Sequence, residues 1–62
     1  MNNILLKYLT KILGADAKFA IDLAALGPVQ AMEIHDLSHS DAMAAIRRIN
    51  AKLADRMLEV MA

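Results

Sequence analysis

The sequence predicts an all-α protein: a small helical bundle of three to four helices with a long C-terminal helix, completed by homo-oligomerisation. Three observations carry this. From Ser40 to the C-terminus there is no Gly or Pro and there are few β-branched residues, so nothing in the last third disfavours helix. Apolar residues recur at helical spacing over most of the chain, and Gly14, Gly27 and Pro28 are the only breakers in it. Finally, 58% of the 62 residues are hydrophobic. A chain this short buries only about 60% of its unfolded surface on folding, so a lone monomer lacks the interior to hide them and self-association is the remedy. Residues 1–62 are read as a single helical domain.

The first helix is expected over residues 3–13, capped by Asn2 or Asn3. Ile4, Leu5, Tyr8, Leu9, Ile12 and Leu13 share a broad apolar face, Lys7, Thr10 and Lys11 fill the remainder, and Gly14 is the stop. The second helix is expected over 16–26, with Asp16 as its cap. Phe19, Leu23 and Leu26 lie on one side, and Ala17, Ala20 and Ala24 form a flat strip that permits close helix approach. Gly27 suits a left-handed residue at the helix end, and Pro28 cannot continue the amide ladder. Residues 28–37 follow neither a clean helical face nor strict alternation; a short helix starting at Pro28 is expected, with a brief extended segment as the competitor.

The long helix is expected over 41–61, with Ser38 or Ser40 as cap and Asp41 in its first turn, where the helix dipole favours a carboxylate. At about 100° per residue, Met43, Ile46, Leu53, Met57 and Val60 form one stripe flanked by Ala42, Ile49, Ala54 and Met61. The charged residues Asp41, Arg48, Lys52, Asp55, Arg56 and Glu59 gather opposite. Written as heptads, the stripe places Met43, Asn50 and Met57 at a and Ile46, Leu53 and Val60 at d, which puts a single Asn in the seam of a possible parallel coiled coil. Met43, Ile46, Ile49, Asn50, Leu53, Met57 and Val60 are therefore the expected oligomer or partner interface, with the core margin as the competing place for Asn50.

Composition narrows the function. Lys and Arg number seven and so do Asp and Glu, giving a formal charge of zero without charged blocks, so the broad electropositive field of a nucleic-acid binder is missing. No apolar run is long enough for a membrane span, and Lys7 interrupts the N-terminal apolar stretch where a signal peptide would need continuity. With no Cys to form disulfides or thiolate metal sites, a cytoplasmic location is expected.

Polar chemistry concentrates in one stretch. His35 and His39 are four apart, the spacing that puts two imidazoles on one helical face, with Glu33, Asp36 or Asp41 as oxygen donors for a divalent metal. A helix start at Ser38 or Ser40 breaks that geometry, and caps and turns use the same residue types. His35, Asp36 and His39 are kept as a possible polar site, and no catalytic, cofactor-binding or metal-binding residue is assigned. The Leu37-Ser38-His39-Ser40-Asp41-Ala42 stretch loosely resembles the corresponding stretch of small cyanobacterial phycobilisome-degradation proteins; the likeness is mostly a generic cap pattern, and no fold, activity or partner is carried over from it.

The expected function is that of a small non-enzymatic protein–protein interaction module, a regulator, inhibitor or adaptor that binds a larger protein through apolar helix faces and pairs with itself as a homodimer. Two other readings are kept. One is a nucleic-acid-binding regulator using the basic edge Arg47, Arg48, Lys52 and Arg56. The other is a membrane-surface amphipathic peptide formed by residues 2–13. Neither nucleic acid nor membrane is the favoured partner.

Overall fold

The computed structural model describes residues 3–62, and among these every regular element is helical. α1 runs Asn3–Leu13, a 3-10 turn follows over Gly14–Asp16, and then come α2 Ala17–Leu26, α3 Pro28–Ile34 and α4 His39–Met61. The all-α class is therefore observed, and the extended segment considered for residues 28–37 is absent. The cap expected from Asn2 or Asn3 lies outside the described side chains.

The junctions follow from local chemistry. Gly14 takes φ 63, the left-handed conformation that ends α1. Gly27 has φ 87 and ψ 168, which is positive φ with an extended ψ instead of the expected left-handed helix stop. That region is essentially open to Gly alone, and it swings the chain into Pro28 at the first position of α3.

The short helix ends earlier than the expected 37. Asp36 N–H donates to Glu33 O at 3.2 Å and Leu37 N–H to Met32 O at 2.9 Å, the paired reverse bonds of a Schellman stop. Asp36 holds the left-handed position of that stop with φ 50, where Gly or Asn is usual, so no glycine announces it. Leu37 and Met32, the two residues whose contact accompanies such a stop, both pack against the core. Two residues later α4 begins: Ser38 is extended, and its Oγ accepts from Asp41 N–H at 3.1 Å. Asp16 was expected to cap α2 in the same way. It sits in helical conformation with no capping bond from its side chain, because its carboxylate is engaged by Arg48.

The core is small and rich in alanine. Leu13, Ala17, Phe19, Ala31, Ala42, Ala45 and Ile49 are buried, with Leu9, Ile12, Ala20, Leu23, Met32, Leu37 and Ile46 packed around them. Four of those seven are Ala, so the helices approach closely and interior volume is spent on backbone. Phe19 from α2 is the one large ring at the centre. α1 lies antiparallel along α4: Lys52 Nζ donates to Leu13 O at 3.3 Å, while one α1 turn and more earlier Tyr8 shares a groove with Arg56 and Glu59. α4, at 23 residues, is about 35 Å long, which matches the 37 Å longest dimension of the molecule.

Candidate functional site

Which face of α4 meets the rest of the chain decides what is left for a partner. Ala42, Ala45 and Ile49 are the buried residues of α4, and Lys52 and Arg56, the next positions on that ridge, lie against α1. The intramolecular face is thus displaced by a fraction of a turn from the expected stripe. Ile49, assigned by the sequence to the interface, belongs to the monomer's own core and is corrected accordingly.

The stripe itself stays largely in solvent. Met43 is 40% exposed, Leu53 37%, Met57 64% and Val60 70%. Asn50 is exposed among them, and Ile46 is the member that folds partly inward against the core. Leu58 and Met61 extend the apolar surface around the helix. No residue from Asn50 to Met61 is buried. Alongside, Leu5 and Tyr8 of α1 are exposed too, at the end of the molecule where the antiparallel register brings the start of α1 beside the end of α4. Of the Ala42–Ile49–Arg56 edge that would flank a parallel coiled-coil seam, Ala42 and Ile49 are buried in the chain's own core and Arg56 stays exposed.

The basic edge is largely committed within the molecule. Arg48 grips Asp16 with two bonds, Nε to Oδ2 at 2.9 Å and a second NH group to Oδ1 at 3.0 Å. This fork-on-carboxylate geometry holds the Asp16 carboxyl below the usual carboxylate range, chiefly through the Arg48 hydrogen bonds and against the desolvation of a side chain only 15% exposed. Lys52 is turned onto the Leu13 carbonyl, where it caps the open end of α1. Arg56 bonds Glu59 at 3.1 Å, and Tyr8 first, then Glu59, holds its guanidinium above the ordinary value.

The three residues of the polar stretch are not brought together. His35 ends α3 and reaches back to α2, its Nε2 lying 2.7 Å from Asp22 Oδ2; the carboxylate accepts and the imidazole N–H donates. The ring meets Phe19 edge to face, with centroids 5.4 Å apart and planes at 78°. His35 is thus a tie between α2 and the end of α3. His39, in the first turn of α4, and Asp36, in the Schellman stop, face a different shallow depression beside Val29, Met32, Glu33 and Leu37. Among the described residues no group of three or more His, Asp or Glu side chains converges to hold a metal. Among the described residues the depression that includes Asp22 and His35 is lined by Leu6, Lys18, Ile21 and Ile34, which bring no hydroxyl or thiol to the pair. Sequence reasoning missed both the Asp22–His35 and Asp16–Arg48 pairs, whose partners lie 13 and 32 residues apart.

No protein-family model, no curated protein and no solved structure matches the chain. Among the described residues no helix is long and apolar enough to cross a membrane.

Proposed function

We propose that the protein is a small non-enzymatic interaction module that binds a larger protein through the outward apolar face of α4, and that the same face supports homo-oligomerisation. One observation carries the reading: the Met43–Leu53–Met57–Val60 stripe is exposed along a helix whose last twelve residues, 50–61, contribute nothing to the buried core. An apolar stripe of that length at helical spacing is the pattern of a helix laid against a protein groove or a partner helix. Methionines at positions 43, 57 and 61 suit it to irregular surfaces, since the unbranched thioether side chain adapts its shape.

The nucleic-acid reading is weaker than the sequence made it. Arg48, Lys52 and Arg56 are spent on Asp16, Leu13 O and Glu59, and among the described residues only Arg47 of that set has no internal bond competing with phosphate. The membrane-surface reading of residues 2–13 is weakened in the same way, since Leu9, Ile12 and Leu13 of its apolar face are occupied by the core.

The test is capture from a cell lysate at raised salt by immobilised wild type and by Met57→Asp. A specific protein retained by the first and lost by the second is the expected result. Retention that is unaffected by Met57→Asp, or that consists of salt-sensitive nucleic acid, would refute the reading.

A further inference from the structure

We draw no further inference here: the strongest candidate, the exposed apolar stripe of α4 from Met43 to Val60, is the surface already described, and nothing in the structure shows what covers it.

Discussion

The two halves of α4 are alike in composition and unlike in employment. Residues 39–49 include three buried side chains, Ala42, Ala45 and Ile49, and a two-bond ion pair from Arg48 to α2's leading turn. Residues 50–61 include none, although Leu53, Met57, Leu58, Val60 and Met61 are as apolar as anything in the core. The first half is packed into the core, while the apolar side chains of the second stay in solvent. Lys52 and Arg56 mark the transition, meeting α1 through polar atoms where Ala42, Ala45 and Ile49 are buried in the core.

The largest break in this comparison is a truncation in the first half. Ile49→Ala removes three carbons from a site with no room to collapse around alanine neighbours and should cost about 2–4 kcal/mol. In a domain this small that lowers the thermal midpoint by about 10–20 °C at fixed protein concentration. A loss below about 0.5 kcal/mol would mean that α4 does not pack through Ala42, Ala45 and Ile49.

The junction that starts α4 gives the next effect, in two directions. Ser38→Ala deletes the bond from Asp41 N–H and should cost about 1 kcal/mol, seen as a lower denaturant midpoint with unchanged slope. Asp36→Gly relieves a left-handed residue at φ 50 and should stabilise by about 0.5–1 kcal/mol. If both variants destabilise equally, the Schellman stop is not setting the angle at which α4 leaves α3.

The Asp16–Arg48 pair sharpens the comparison through pH. Asp16 is held below its ordinary range, mainly by the Arg48 hydrogen bonds. A carboxyl depressed in the folded state contributes stability that is fully present above its unfolded value and is lost as pH falls through the lowered folded one. Wild type should thus lose stability in acid faster than Asp16→Asn, and the two unfolding curves should converge at the lowest pH. The effect is smaller than those above because Arg48 is 54% exposed and solvent screens the pair. Parallel curves across the acid range would show that the pair is not formed in solution.

What the residues announced and what they hid divide along a physical line. Helix existence, the Gly14 stop, the Gly27–Pro28 break and the Ser38 cap are local, and each was readable from one or two residues. The face of α4 that packs inward was not. Periodicity adds together every surface a helix will bury, against its own chain or another, and the strongest stripe in that sum was Met43, Ile46, Leu53, Met57 and Val60 rather than the alanine edge that the bundle uses. Alanine weighs little on a hydrophobic scale, yet it is what lets helices of a small domain approach closely. The break between His35 and His39 is legible as well, since the Ser38 cap starts a new helix between them. What stays hidden is the partner of His35: the short helix stops at Ile34 and the ring turns to Asp22, 13 residues back, where no local rule points.

The smallest expected effect tests the second half most cleanly. Leu58 is 64% exposed and lies about 100° around the helix from Met57, off the Met43–Asn50–Met57 line. Leu and Ala differ little in helix propensity, so Leu58→Ala should change stability by no more than about 0.5 kcal/mol. It should also leave unchanged the capture of a partner protein, which Met57→Asp should abolish. The two substitutions are one residue apart on the same solvent-facing stretch, so a general intolerance of that helix to mutation would affect both. A cost above about 1 kcal/mol at Leu58 would mean that the apolar cover extends around the helix well beyond the stripe, toward Ala51 and Ala44, and that α4 meets a groove rather than a single helix.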